Sequence, residues 1–160
     1  MPGRRREEKT SRIAAFLTAA FLVTALDQIS KLIILQTLSP GQSIPVIRSF
    51  FHLTLVHNTG IAFGLFRQHP EVLFALITAS IIVLFFVGIS AAKNDRTSLV
   101  CFAFILGGAA GNWLDRVRHE AVIDFFDFRI WPVFNLADAA ITLGVVLFIG
   151  SRLLMSQQGK

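Results

Sequence analysis

The chain has 160 residues, of which 54% are hydrophobic and only 16% charged, with a formal net charge of +5. A water-soluble domain carries about 25% charged residues and a disordered one is poor in apolar residues, so both classes are excluded. The one cysteine, Cys101, rules out an internal disulfide framework. No Cys/His cluster has zinc spacing, and the scattered His52, His57, His69 and His119 make a poor metal site, so neither metal nor cofactor is expected.

In chain order, a basic arm (Arg4, Arg5, Arg6, Lys9, Arg12) precedes a first apolar run over about 13–35, interrupted by Asp27 and Lys31. A basic arm before an apolar run also fits a secretory signal, but Asp27-Gln28-Ile29-Ser30-Lys31 is no small-residue cleavage site, so the run is read as an uncleaved helix. The stretch 36–71, with Pro40, Gly41, Pro45, Gly60 and Pro70, is predicted as an outer loop. Within it, the aromatic and β-branched residues from Phe50 to Val56 predict a short strand or hairpin. Gly60, inside Asn58-Thr59-Gly60-Ile61-Ala62-Phe63-Gly64, predicts a tight turn whose backbone is open to an extended peptide. Further apolar runs follow at 72–92, which carries no charge, at 98–116, rich in glycine, and at 134–154. A span needs about 20 mostly apolar residues, and the run at 72–92 has no polar face for a water-soluble bundle. Between the last two runs, 117–133 is predicted as a second outer loop. Its stretch Val122 to Phe128 is apolar enough to suggest contact with the bilayer surface. Trp113 and Trp131 stand near the expected interface, where indole rings concentrate. The expected fold is thus a mainly α membrane protein, a single domain over 1–160 with four transmembrane helices and a small β-like extracytoplasmic cradle.

Nine of the fifteen Lys and Arg residues lie in the N-terminal arm, the 93–96 connection and the C-terminal tail. The positive-inside rule then places both termini in the cytoplasm. The pI of 10.4 is therefore a topology signal, with some attraction to anionic lipid, and no nucleic-acid partner is expected.

Counted inward from its cytoplasmic arginine, Asp27 is 15 residues from Arg12, Asp138 is 14 from Arg152 and Asp115 is 19 from Arg96. At 1.5 Å per residue these acids lie roughly 21–28 Å deep in a core about 30 Å thick. Carboxylates in a membrane are expensive and usually face a functional cavity, and a shared depth is what one site built from several helices requires. Asn112, Asp115 and Arg116 share one helix face, as do Asn135 and Asp138. Asp27 and Lys31, at i and i+4, fit a structural ion pair at least as well as chemistry. Asn112 and Asn135 also fit interhelical hydrogen bonding, and the glycines at 107, 108 and 111 fit close helix packing.

Two carboxylates at one site cannot both ionise cheaply, so one keeps a proton; the charged member can activate water while the other donates to a carbonyl. That is the strategy of aspartic peptidases. Composition and spacing do not choose among Asp27, Asp115, Asp124, Asp127 and Asp138.

The strings Gly111-Asn112-Trp113-Leu114-Asp115-Arg116, Val122-Ile123-Asp124-Phe125 and Phe134-Asn135-Leu136-Ala137-Asp138 resemble those of the bacterial lipoprotein signal peptidases (signal peptidase II). So do Asp27-Gln28-Ile29-Ser30-Lys31 and the Asn58 to Gly64 turn, and the resemblance extends over nearly the whole chain, with the five motifs in the family's order. The resemblance implies an aspartyl endopeptidase of the bacterial inner membrane that removes the signal peptide of a diacylglyceryl-modified prolipoprotein. The cut falls just before the lipidated cysteine, with the active site near the outer face among membrane lipids. It implies Asp124 and Asp138 as the catalytic pair, although the motif around Asp115 is as strong as that around Asp124. Asp124 is preferred because a loop returning to the membrane surface can face the helix-borne Asp138. Supporting or substrate-binding roles fall to Asp27, Asn58, Gly60, Asn112, Asp115, Arg116, Asn135 and Ala137. Inhibition by the cyclic peptide globomycin is also implied. Without the resemblance, a small ion- or proton-coupled transporter using Asp27, Asp115 and Asp138 is the second reading, although no inverted repeat is visible.

Overall fold

The structure, a computed structural model, describes residues 2–60 and 70–158. Four helices, α1 (Pro2–Thr37), α2 (Pro70–Asn94), α3 (Arg96–His119) and α4 (Leu136–Gln158), are accompanied by strands β1 (Ser43–Ile47), β2 (Phe51–Asn58) and β3 (Val122–Asp127). All four helices are long and apolar enough to cross a membrane.

Packing is inverted relative to a water-soluble bundle. Large apolar side chains such as Phe21, Leu26, Phe86, Val146 and Leu153 are exposed around the outside, whereas Asp27, Lys31, Asn112, Asp115 and Asn135 are buried inside. That distribution suits lipid as solvent, since apolar surface costs nothing there and unpaired polar groups cost several kcal/mol. A conventional apolar cluster of Phe16, Ala20, Ala92, Leu99, Ala103 and Leu106 joins α1, α2 and α3 toward the end that carries the chain termini.

The central helix is α3, which packs on each of the other three. Its glycines permit this. A Cβ on Gly107 would meet the carbonyl of Ala20 at 2.6 Å, and one on Gly108 would collide with the carbonyl of Ala137 on α4. Asp95 starts the helix by accepting a hydrogen bond from the Ser98 N–H at 2.6 Å, which holds its carboxyl below the usual carboxylate range. Arg152 of α4 pairs with the same carboxylate at 3.2 Å.

At the opposite end the strands form one antiparallel sheet in the order β1-β2-β3. Ser43 pairs with Thr54, and Val56 with Asp124. One face of the sheet packs on α1, with Leu55, Ile123 and Phe125 against Ile34 and Leu38.

Two helix bounds are refined and one expectation is corrected. Helical form extends from the expected span at about 13–35 back to Pro2, because the arm continues the helix, with an Arg12–Glu8 pair at 2.7 Å one turn apart. The fourth helix starts at Leu136, just inside the run expected from about 134, because Phe134 forms a bridge with Phe126 and leaves Asn135 as the cap. The apolar stretch from Val122 is a strand buried against protein, and does not lie on the bilayer surface.

Candidate active site

Each candidate residue sits at the sheet end of the bundle. Asp124 is on β3, where strand alternation turns it away from the Ile123 and Phe125 face toward the start of α4. Its Oδ1 accepts from the Asn135 side chain at 2.7 Å, and its Oδ2 from the Asn58 side chain at 3.0 Å. Asp138 lies in the first turn of α4 and forms a reciprocal cap with Asn135. The Asp138 N–H donates to Asn135 Oδ1 at 2.9 Å, and the Asn135 N–H donates to Asp138 Oδ2 at 3.3 Å. The other Asp138 oxygen accepts from Asn112 Nδ2 at 2.8 Å. Asn135 therefore touches both acids, and its amide also donates to Asn112 Oδ1 at 3.0 Å.

Asp27 and Asp115 are engaged elsewhere. Lys31, buried in α1, bridges Asp27 at 2.8 Å and Asp115 at 2.7 Å, and donates to Asn112 Oδ1 at 3.0 Å. The remaining Asp27 oxygen accepts the Ala137 N–H at 2.9 Å, which ties α1 to the first turn of α4. Asp115 also accepts from the Ile123 N–H at 3.1 Å and from Gln28 at 2.8 Å, and so pins β3 to α3 and α1. A Cβ on Gly111 would collide with the Asp27 carboxylate, so glycine makes room for this cluster.

Asp124 and Asp138 both line a cavity of about 660 Å³, together with Asn58, Gly60, Asn112 and Arg116. Neither Asp27 nor Asp115 lines it. Arg116 donates to the carbonyls of Asn112 at 3.2 Å and Gly60 at 3.3 Å, and so links the strand end to α3. Gly60 turns back on Asn58, its N–H donating to the Asn58 side chain at 3.1 Å. Residues 61–64 of that motif, and His69, lie outside the described residues. The Asp124 carboxyl is pushed up to about 7, chiefly by burial and also by the charge of Asp138, against the opposing Asn58 and Asn135 amides. Asp127, three residues further along β3, is bonded to Thr54 at 2.7 Å, which holds its carboxyl low.

Sequence reasoning missed Gln28, which joins Asp27, Asp115 and the Gly111 carbonyl. A third polar side chain so close to Asp27 and Lys31 in an apolar run was the available signal. It also missed the wall from Ile130 to Phe134. Trp113, expected at the interface, lies against α2, its indole N–H donating to Thr78 at 2.9 Å and its ring stacked on Phe74.

Fold and site together define a multi-pass membrane protein with two acids facing one cavity beside a buried ion cluster. The family described as signal peptidase (SPase) II matches residues 19–154, and the chain belongs to it. A lipoprotein signal peptidase of Moorella thermoacetica is 46% identical over 147 residues, covering 91% of this chain and 97% of that one. Another, from Halothermothrix orenii, is 41% identical over 130 residues, covering 80% and 88%. A bacterial membrane enzyme solved by the in meso method at 2.3 Å resolution superposes with a TM-score of 0.81 at 32% identity, covering 92% of each chain.

Proposed function

We propose that the chain is an aspartyl endopeptidase of the bacterial inner membrane, cleaving a diacylglyceryl-modified prolipoprotein just before its lipidated cysteine. The sheet end faces outward in this reading. One observation carries it: of the acids at that end, Asp27 and Asp115 are consumed by Lys31, Gln28 and backbone N–H groups, whereas Asp124 and Asp138 face the cavity.

In this mechanism Asp124, held protonated by burial, donates to the scissile carbonyl oxygen while Asp138 takes a proton from the attacking water. The tetrahedral species then returns one hydroxyl proton to Asp124. Asp138 gives its proton to the leaving nitrogen as the C–N bond breaks, and the pair is restored. Asn112 and Asn135 hold the carboxylates in register, and Arg116 with the Asn58–Gly60 turn positions the extended peptide. Globomycin is expected to compete for the same cavity.

The test is incubation of the full chain in lipid nanodiscs with a precursor peptide carrying a diacylglyceryl cysteine. Mass spectrometry is expected to find one new N-terminus, at the lipidated cysteine, with loss of the product when globomycin is added. An intact peptide after prolonged incubation contradicts the reading.

A further inference from the structure

Among the described residues Ile130 is the most exposed large apolar side chain, at 87%, and its neighbour Trp131 is 69% exposed. Neither belongs to a membrane-length helix; both sit on the connection between β3 and α4 that joins Asp124 to Asp138. The connection is pinned at its base. Arg129 takes a left-handed φ of 64°, and its N–H donates to Asp127 Oδ1 at 2.9 Å. Its guanidinium reaches His52 at 3.1 Å and Ser43 at 3.0 Å. At the other side, Phe134 exchanges backbone hydrogen bonds with Phe126 at 2.7 and 3.1 Å. An ordered turn thus holds two large apolar side chains outward.

The same turn lines the cavity that holds both acids, with Ile130, Trp131, Pro132 and Val133 contributing apolar lining beside the polar Asn58, Asn112 and Arg116. If the bond broken precedes a lipidated cysteine, the glyceryl group must lie within one residue of the acids. Its acyl chains must then leave the cavity along an apolar wall, because a polar one would strip groups of their partners. We propose that Ile130 and Trp131 form the specificity-determining surface for the acyl chains of the substrate, an inference that rests on the peptidase reading above. Trp131 covers the chains near the glycerol, and Ile130 continues the surface toward lipid.

Two peptides with the same signal helix test this, one bearing a dipalmitoylglyceryl cysteine and the other a diacetylglyceryl cysteine, each at equal mole fraction in nanodiscs holding the full chain. One methylene more or fewer in a hydrophobic pocket changes discrimination by roughly 10–200-fold. Trp131→Ala and Ile130→Ser should therefore lower kcat/KM on the dipalmitoyl peptide about tenfold, through KM with kcat held, and narrow the gap between the two peptides. Trp131→Phe should restore most of the preference. Equal losses on both peptides, a fall in kcat alone, or no change on either would overturn the proposal. A wild-type chain that cleaves neither peptide instead removes the peptidase reading, and this inference with it.

Discussion

At the residue scale, Asn135 and Lys31 divide the labour. Asn135 bonds the Asp124 carboxylate and Asn112 through its side-chain amide and the Asp138 carboxylate through its backbone N–H, whereas Lys31 is shared between Asp27 and Asp115, which do not line the cavity. Breaking a buried ion cluster by removing one partner strands the others, so Lys31→Met should lower stability by about 3–5 kcal/mol, read as unfolding in detergent. An unchanged transition would mean that water already solvates the cluster. Asp124, raised to about 7, supplies a second prediction. In the proposed mechanism it is the proton donor, so activity should hold below about pH 7 and fall as the group ionises above it, with a limiting slope of about tenfold per pH unit. A pH–rate profile of kcat/KM that rises through this range would reverse the assigned roles. Helical spacing made several of these residues legible, since Asn112 and Arg116 share a helix face whatever the tertiary fold and Asn135 stands one turn before Asp138. Spacing alone left Asp115 and Asp124 equivalent, because it does not reveal whose oxygens are already occupied; the preference for Asp124 came from the resemblance and from the returning loop.

At the element scale, the start of α4 is the critical junction. Its first turn receives Asp27 through the Ala137 N–H, and its backbone passes so close to α3 that Gly108 has no room for a side chain. Gly108→Ala should therefore cost about 1–3 kcal/mol and lower activity together, because displacing Ala137 also displaces Asp138. Thermal unfolding and turnover measured on one preparation check this, and a variant stable yet inactive, or active yet unstable, would uncouple the two. The four apolar runs and β2 were legible from hydropathy and β-branched composition. The edge strand β1 was not, since all five of its residues are exposed and Pro45 interrupts its pattern. The apolar β3 reads from its sequence as touching lipid, and the structure buries it in protein. Burial against α1 and burial in a bilayer select the same side chains, so composition alone cannot separate them.

At the scale of the whole molecule, apolar residues face outward and polar ones inward, and the two ends differ. The termini and the α2–α3 connection lie at one end, and the sheet and cavity at the other. If the basic residues at the first end hold it in the cytoplasm, a membrane-impermeant maleimide should label Arg48→Cys in intact spheroplasts. Ser156→Cys should label only after permeabilisation, both in a Cys101→Ala background; the opposite pattern would invert the orientation. The claim on which the rest depends is that Asp124 and Asp138 act together on one peptide bond. The most direct measurement is single-turnover cleavage of the lipidated precursor by Asp124→Asn and Asp138→Asn, each first shown to insert and unfold like the parent. The account predicts a loss of at least about a thousandfold in both variants. Turnover within about tenfold of the parent in either one, with Asp115→Asn inactive, would contradict it.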